Sequence, residues 1–401
     1  MVTGIFQWEI LMSIKPQKIV AVTGARSEYD LMYSVYKMLD EDARFDFSII
    51  ITGPHLSENF GYTSQYIEND GFRVLDYIYS FLDSNHKLAR VSSIGNQIPL
   101  LAQSLNREKP DLVIVAGDRE EAISVTMTCA YMDIPCAHFF GGDIAKDGNI
   151  DNSVRYAASK FAHLHFVTLE EHKKTLLKLG EEEWRIHVIG NPGLDRFLAT
   201  EEINKSEVLA HFQLHTNTNY AVLIQHSIIT EVEDQPTHIR ITLDALLETD
   251  LVYFVNFPNT DSGSMAIIEA YNEYVDRYPE KFVLFKNLER NMYINLLRNA
   301  AFLIGNSSSG LLEAPSLGLP AVNVGSRQRG RIHGDNVLFV DNNKKQILSA
   351  IQKILLDKEF VNKVAKRINP YGDGAASIKT VEILSQIELN NNLVYKNITY
   401  K

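Results

Sequence analysis

Charged side chains stand directly after short apolar runs of this sequence. Asp118 and Arg119 end the run DLVIVAGDR at 111–119, and Arg26 follows the run KIVAVTG at 18–24. Open α/β sheets bind their ligands at the carboxyl ends of strands, so we interpret Asp118 and Arg119 as functional residues rather than as solvated rim charges. Arg26 stands at a predicted helix start, where it either helps to bind an anion or belongs to a capping turn.

A loop rich in glycine and carboxylates is the second candidate. It reads HFFGGDIAKDGNIDNSVRYA over 138–157 and contains Asp143, Asp147 and Asp151 ahead of a helix predicted to begin at Ser153. Two adjacent glycines let the backbone approach a ligand closely, and carboxylates in such a loop are suited to acid and base catalysis. The competing interpretation is that Asp151 or Asn152 is only the N-cap of the helix.

The third candidate, GNSSSGLLEAP at 305–315, has the composition of an anion site. A predicted strand ends there in a turn that enters a helix, so backbone N–H groups and the hydroxyls of Ser307 and Ser308 are aimed at one point. This arrangement suits a diphosphate, and Glu313 is placed to reach a ribose diol. A Ser-capped helix is the simpler alternative, but a cap needs one serine rather than three. His226 follows the first predicted strand of the second half. A lone histidine is usually structural, but this one lies where the two predicted domains should face each other.

These candidates all require parallel strands that end at a common edge. Short, continuous apolar runs alternate with helical patterns, which is typical of parallel strands buried on both faces. Six runs lie in each half: KIVAVTG, DFSIIITG, DLVIVAGD, PCAHFFGGD, HLHFVTL and RIHVIGN, then YAVLIQH, LVYFVNFP, KFVLFK, AFLIGN, AVNVG and NVLFVD. Two such series predict two doubly wound α/β domains with ligands bound in a cleft between them. We expect an N-terminal extension at 1–14, domains at 15–190 and 191–370, and a C-terminal helix and tail at 371–401.

Composition and missing motifs narrow the possible functions. With 39 Lys and Arg against 50 Asp and Glu, the formal charge of −11 argues against nucleic acids and anionic membranes as partners. We expect no membrane span, since no run reaches about 18 apolar residues, and we identify no signal peptide. Two cysteines in 401 residues favour a reducing, cytoplasmic setting over a disulfide framework. The sequence lacks GxxxxGKS/T, GxGxxG and HExxH, so we predict no cofactor and no metal.

Taken together, the motifs resemble those of the UDP-N-acetylglucosamine 2-epimerase family, specifically its hydrolysing branch used in sialic acid and related nonulosonic acid synthesis. The resemblance spans Lys18 to about Asp341. It is carried by TGARSEYDLM, TGPHLSENFGYT, AGDREEA, GNIDNSVRYAASKFAHLHFV, VIGNPGLD, FPNTDSGS, GNSSSGLLEAP and GSRQRGRIHGDNVL. It implies two Rossmann-like domains with a central cleft, the GT-B-like architecture, and a homodimer or homotetramer. The small-molecule partner that it implies is a nucleotide sugar.

The resemblance also implies a two-step reaction on UDP-N-acetylglucosamine. UDP is first eliminated across C1–C2 to leave a 2-acetamidoglucal, and water then adds with inversion at C2 to release free N-acetylmannosamine. Asp118 and Asp151 match family acids implicated in proton transfer at C2 and in hydration. The positions that match substrate-binding or nearby cleft residues of the family are Arg26, His55, Arg119, His226, Asn259, Ser307, Ser308, Glu313 and Arg327.

One departure from the family pattern concerns the acids. Where the family often reads HIEGGE, this chain reads HFFGGD at 138–143, so Phe140 replaces a glutamate. Phe140 cannot move a proton, so either Asp143 takes over or the substrate differs at C4 and C6 of the sugar. UDP-N,N′-diacetylbacillosamine, the legionaminic acid precursor, is therefore the main rival substrate. A non-hydrolysing epimerase, a glycosyltransferase of the same architecture and a non-catalytic nucleotide-sugar sensor are further alternatives.

Overall fold

The computed structural model describes residues 15–84, 86–144, 150–258, 263–286, 288–397 and 399. The described residues up to Arg196, together with those from Gly374 onward, form one compact unit, and Phe197–Asp373 form a second. Each unit is built around one parallel β-sheet with helices between the strands, which confirms the predicted fold class of two α/β domains. The predicted extension at 1–14 lies outside the described residues.

The sheet of the first unit contains seven described strands. They are β1 (Gln17–Thr23), β2 (Phe45–Thr52), β3 (Val74–Ile78), β4 (Leu112–Ala116), β5 (Cys136–Phe139), β6 (Leu164–Val167) and β7 (Ile186–Val188). Their spatial order is β3-β2-β1-β4-β5-β6-β7, and all neighbours run parallel. The order reverses between β1 and β4, and ligands of such sheets bind beside this switch point.

Helices connect these strands and cover both faces of the sheet. They are α1 (Arg26–Glu41), α2 (Ser64–Asn69), α3 (Lys87–Glu108), α4 (Glu120–Tyr131), α5 (Ile150–Phe161), α6 (Glu170–Lys178) and α7 (Pro192–Leu198), with 3-10 turns at Gly53–Leu56 and Glu183–Arg185. Alternate residues of β1 enter two different cores: Ile19 and Ala21 join one, and Val20 and Val22 the other. This two-sided burial explains the continuous apolar runs of the sequence.

The second unit repeats the plan with six described strands in the order β10-β9-β8-β11-β12-β13. The strands are β8 (Tyr220–Ile224), β9 (Val252–Asn256), β10 (Phe282–Phe285), β11 (Leu303–Gly305), β12 (Ala321–Val324) and β13 (Val337–Val340). The helices are α8 (Lys205–His211), α9 (Gln235–Leu246), α10 (Ser264–Arg277), α11 (Arg290–Arg298), α12 (Ser309–Leu312), α13 (Ala314–Leu317), α14 (Lys344–Leu356) and α15 (Lys358–Val364), with a 3-10 turn at Ile229–Asp234.

The C-terminal helices, α16 (Ala376–Gln386) and α17 (Asn391–Val394), belong to the first unit. The buried carboxylate of Asp195 accepts hydrogen bonds from the N–H groups of Ala376 and Ser377, at 3.1 and 2.6 Å. Val381 and Leu384 of α16 then join the core that α1 packs against. Among the described residues, no helix is long and apolar enough to cross a membrane.

Candidate active site

A cavity of about 470 Å³ lies at the carboxyl ends of β2, β3 and β4 in the first unit. The predicted residues Asp118, Arg119 and Asp151 all line it. Its position beside the point where the strand order reverses is where doubly wound sheets bind ligands. The other walls include three apolar side chains, those of Phe60, Phe81 and Leu82. They also include three polar side chains, those of Ser80, Ser93 and Gln97.

Asp118 follows β4 and is held by an arginine that sequence analysis did not single out. Its Oδ2 accepts a hydrogen bond from Nη2 of Arg155, a buried residue of α5. Arg155 also donates from Nη1 to the carbonyl oxygen of Asp143 at 3.0 Å. The spacing of Asp151 and Arg155, four residues apart, places both on one face of a helix, and this is the signal that could have identified Arg155.

Asp151 lies in the first turn of α5 and lines the same cavity as Asp118. A carboxylate in the first turn is stabilised by the helix dipole. The structure therefore brings the two predicted acids to one cavity, although they come from different elements. Asp147, which the sequence places in the preceding loop, lies outside the described residues.

Asp143 is not among the residues that line the cavity. Its Oδ1 lies 3.4 Å from Nε2 of His172 and accepts a hydrogen bond from the N–H of Ile144 at 2.8 Å. Burial alone would raise the pKa of Asp143, but the hydrogen bond and charge of His172 and the charge of Arg155 outweigh it and hold the pKa below its usual range. An ionised Asp143 is a poor proton donor at neutral pH. Gly142 has a φ of +77°, and a side chain there would overlap the carbonyl oxygen of His172.

Phe140, at the position of the family glutamate, follows β5 in a left-handed conformation with a φ of +64°. Its N–H donates to the carbonyl oxygen of Phe166 at 3.0 Å, and its ring packs against the core of the first unit. A residue other than glycine in this conformation costs about 1 to 3 kcal/mol, so the surrounding contacts must fix it. The aromatic ring contributes packing here and no ionisable group.

His55 and Arg26, also predicted to bind substrate, do not line the cavity. The ring of His55 is buried, with Nδ1 2.7 Å from Thr63 Oγ1 and Nε2 3.3 Å from Thr23 Oγ1. Burial lowers the pKa of His55 to about 4, so the imidazole is neutral at pH 7. Arg26 is exposed, and its guanidinium carbon lies 4.4 Å from the centroid of the Tyr66 ring.

A second cavity, of about 290 Å³, lies in the second unit where β11 ends. The predicted residues Ser307, Ser308 and Glu313 line it together with Arg290 and Tyr293 of α11. Hydroxyls and a guanidinium suit a diphosphate, and an aromatic ring can stack on a base. Sequence analysis missed Arg290 and Tyr293, which their spacing of three places on one face of α11.

Glu313 lines this second cavity, and its carboxyl group is buried. Its Oε2 is buried and has no hydrogen-bond partner among the described residues. Burial raises the pKa of Glu313, although a hydrogen bond with Ser309 partly opposes the shift. The carboxyl oxygens of Glu313 can form hydrogen bonds with the hydroxyls of a ribose diol.

Asn306 brings His226 and Arg327 next to this serine turn. The Oδ1 of Asn306 accepts from the N–H of His226 at 2.7 Å, and its Nδ2 donates to the carbonyl oxygen of His226 at 2.8 Å. Arg327 Nη1 donates to the carbonyl oxygen of Asn306 at 3.1 Å. Neither His226 nor Arg327 lines the second cavity, and the predicted Asn259 lies outside the described residues. No group of three His, Cys, Asp or Glu residues suited to a metal occurs in the described parts of the chain.

Residues 37–385 match the family model described as UDP-N-acetylglucosamine 2-epimerase. A hydrolysing UDP-N,N′-diacetylbacillosamine 2-epimerase of Legionella pneumophila is 33% identical, over 96% of this chain and 100% of that protein. A hydrolysing GDP/UDP-N,N′-diacetylbacillosamine 2-epimerase of Campylobacter jejuni is 32% identical, over 86% of this chain and 88% of that protein. A Listeria monocytogenes crystal structure described as a UDP-N-acetylglucosamine 2-epimerase shares the fold, with a TM-score of 0.76 at 18% identity, over 92% of this chain and 96% of that one.

Proposed function

The chain belongs to the UDP-N-acetylglucosamine 2-epimerase family, and from this we propose that it is a hydrolysing 2-epimerase of a UDP-linked 2-acetamido sugar. The reaction removes the C2 proton while the C1–O bond to UDP breaks, which leaves a 2-acetamidoglucal. Water then adds its oxygen to C1, a proton returns to the opposite face of C2, and the free 2-acetamido-mannose-type sugar is released. Both half-reactions move one proton, so the enzyme needs a base and an acid next to C2.

The observation that carries this proposal is that Asp118 and Asp151 line one cavity beside the cation Arg119. C2–H is only weakly acidic, so a carboxylate base must act while the leaving diphosphate is stabilised by fixed donors. We assign proton transfer at C2 and hydration to Asp118 and Asp151, and binding of the anionic nucleotide to Arg119. UDP is assigned to Ser307, Ser308 and Glu313, where hydroxyls suit the diphosphate and the carboxyl suits the hydroxyls of the ribose.

Two sugars compete as the substrate. The family description supports UDP-N-acetylglucosamine, which would give N-acetylmannosamine. The first-unit cavity favours UDP-N,N′-diacetylbacillosamine, which would give 2,4-diacetamido-2,4,6-trideoxymannose, because one wall is formed by Phe60, Phe81 and Leu82. The rings of Phe60 and Phe81 lie 5.8 Å apart between centroids, while Phe60 and Leu82 are 54% and 45% exposed. Such a surface suits the methyl groups of a 6-deoxy, 4-acetamido sugar better than the hydroxyls of glucosamine.

Incubation with each nucleotide sugar in the absence of an acceptor tests the proposal. A hydrolysing epimerase produces free UDP and free 2-acetamido-mannose-type sugar in equal amounts, and we expect faster release from UDP-N,N′-diacetylbacillosamine. A non-hydrolysing epimerase would keep UDP on its product, and a glycosyltransferase would need an acceptor. Tight UDP binding without turnover of either sugar would instead support a sensor.

Two further properties belong to this proposal. The buried free thiols of Cys129 and Cys136 fit a reducing compartment, and we place the enzyme in the cytoplasm. A homodimer or homotetramer is expected by analogy with the family. Size-exclusion chromatography with light scattering would determine the assembly.

A further inference from the structure

Two glutamates that sequence analysis did not single out lie at the first-unit cavity, and Glu121 is one of the residues that line it. Glu28 of α1 and Glu121 of α4 are 8% and 4% exposed. Both carboxyl groups flank Gly24: its N–H donates to Glu28 Oε2 at 3.5 Å, and a Cβ at Gly24 would overlap the Glu121 carboxyl. Gly53, which lines the cavity, leaves space for the same carboxyl. The two acids therefore share one buried compartment next to the site.

This compartment is unsuited to two negative charges. Oε1 of Glu28 and Oε2 of Glu121 have no hydrogen-bond partner among the described residues. Burying a charge without a partner is costly, and a second like charge nearby adds to the cost, so such pairs retain a proton. Burial, followed by the charge of Glu121, raises the pKa of Glu28 to about 8, and burial also raises the pKa of Glu121.

Arg119 is the cation that responds to the charge of this pair. It precedes the first turn of α4, lines the cavity and has a half-exposed side chain, with Nε 4.0 Å from Glu28 Oε1. A charge-assisted hydrogen bond would be about 2.7 to 2.9 Å long. At the observed separation Arg119 Nε and Glu28 Oε1 therefore do not form one. An ionised Glu28 would attract the guanidinium, because the Glu28 side chain is only 11% exposed and its charge is weakly screened by water.

We propose that Glu28 and Glu121 form a proton-sharing carboxyl pair that positions Arg119 for the anionic part of the nucleotide sugar, an inference that rests on the proposed function. While the pair holds its proton, Arg119 is available to the substrate. When Glu28 ionises, its carboxylate competes with the substrate for Arg119 and binding weakens. Glu28 and Glu121 act through Arg119 and are positioning residues.

Other charged or titratable groups face the pair from the neighbouring elements: Asp118 and Glu120 beside β4, Arg90 on α3 and Tyr36 on α1. Arg90 and Glu120 form an ion pair, so their opposite charges largely cancel. Asp118 opposes the ionisation of Glu28, as Glu121 does. Loss of the proton from Glu28 is therefore delayed to alkaline pH.

The test is the pH dependence of nucleotide-sugar binding, measured as Kd by calorimetry and as KM by UDP release. Between about pH 7 and pH 9 we expect the wild-type Kd and KM to rise about tenfold, the loss expected when one charge-assisted contact fails. In Glu28→Gln, which cannot ionise, both should stay within about twofold over the same range. Titration of the uracil ring affects both proteins equally and cancels in the comparison.

Glu121→Gln is an independent test, because it should shift the pH at which Kd and KM rise. Removing the neighbouring negative charge makes Glu28 easier to ionise, so the alkaline rise should move to lower pH. Glu41→Gln is the control, because Glu41 lies at the exposed end of α1 and pairs with Lys37 on the surface. Its pH profile should match that of the wild type. Thermal melts confirm that each variant is folded.

Three outcomes would overturn the inference: an unchanged alkaline rise in Glu28→Gln, a flat wild-type profile, or a rise in Glu121→Gln that stays at the wild-type pH. If the wild type binds the nucleotide sugar with the expected pH profile but releases no UDP, the proposed reaction is wrong, while the inference about Glu28 and Glu121 is supported. If neither nucleotide sugar binds at any pH, both the proposed reaction and the inference about Glu28 and Glu121 are wrong. Should Glu28→Gln not fold, Glu121→Gln and the infrared band of a protonated carboxyl in the wild type at pH 7 decide the question.

Discussion

Arg155 ties the carboxylate of Asp118 to the loop that carries Asp143. Its Nη2 donates to Asp118 Oδ2, and its Nη1 donates to the carbonyl oxygen of Asp143 at 3.0 Å. One buried guanidinium therefore joins the ends of two adjacent strands, β4 and β5. Because Arg155 lies one helical turn after Asp151, the orientation of α5 sets the position of both proposed acids.

Replacing Arg155 by Met should therefore reduce both activity and stability. The Arg155 side chain is 9% exposed and that of Asp118 is 26% exposed. Leaving such a carboxylate without its partner should lower the free energy of unfolding by about 1 to 3 kcal/mol, below the figure for a fully buried pair. We expect turnover to fall at least about tenfold, because the base loses its orientation.

Arg107→Met is the matched control, because Arg107 pairs with Asp76 and its side chain is 58% exposed. Surface pairs of this kind contribute at most about 1 kcal/mol. Urea denaturation and UDP release measure the two effects. Equal losses in the two variants would show that the Arg155 pair has no special role.

Asp118→Asn should lower turnover by about a hundredfold or more, within the range for removing a general base. The amide can still accept a hydrogen bond from Arg155, so the fold should be preserved. UDP affinity should change little, because Asp118 is assigned to proton transfer and not to binding of UDP. Asp46→Asn, at an exposed carboxylate paired with Arg73, serves as the control. Turnover within threefold of wild type would remove Asp118 from the mechanism.

Ser307→Ala combined with Ser308→Ala should weaken UDP binding by about 1 to 3 kcal/mol, the range for lost hydrogen bonds to a charged group. Ser307 and Ser308 line the second cavity together with Arg290. In the double variant only Arg290 and backbone donors would remain to hold the diphosphate. Calorimetry with UDP measures the change directly. Ser385→Ala, on α16 of the first unit, is the control, because its hydroxyl donates to the carbonyl oxygen of Glu382. An unchanged dissociation constant would mean that the diphosphate binds elsewhere.

Burial on both faces made most of the strands predictable from sequence. Each of the twelve apolar runs contains a strand of the structure. The missed strand is β3, which is mostly half-exposed at the edge of its sheet. Its Asp76 interrupts the apolar run and pairs with Arg107, so the sequence carries no signature of a buried strand there. An edge strand needs apolar residues at fewer positions, so it lacks the continuous apolar run by which the buried strands were predicted.

The candidate site was predictable only in part, for a related reason. Asp118 and Asp151 follow predicted strands or begin a helix, and local sequence marks such positions. Arg155, Glu28 and Glu121 lie inside helices, where charged residues usually face water, so their burial depends on tertiary packing that local sequence does not reveal. The placement of α16 on the first unit likewise depends on Asp195, a partner about 180 residues away along the chain.

The stability of the protein should depend on pH through Glu28. Its pKa in the folded protein is about 8, above the ordinary value of 4.5, so the folded state keeps a proton that the unfolded state has released. The stability contributed by this proton is complete below about pH 4.5 and is lost as the pH rises through 8. In Glu28→Gln this loss is absent.

The difference in the free energy of unfolding between Glu28→Gln and wild type should thus grow in favour of the variant between pH 5 and 8. Its slope is at most about 1.4 kcal/mol per pH unit, and the difference levels off above pH 8. Urea denaturation at unit steps of pH measures it. A difference that is constant from pH 5 to 9 would show that Glu28 ionises normally in the folded protein.

Asp143→Asn should lower turnover by about tenfold or more, but through positioning rather than proton transfer. Asp143 does not line the cavity, and the depressed pKa that follows from His172 and Arg155 leaves it without a proton to donate at neutral pH. Its carboxylate instead anchors the loop whose carbonyl oxygen is bound by Arg155, the partner of Asp118. His172→Gln removes the other half of the anchor, so the two variants should lose activity to a similar extent and retain the wild-type pH profile of turnover. A large loss in Asp143→Asn alone, together with a shifted acidic limb of that profile, would instead assign the proton-transfer role to Asp143 itself.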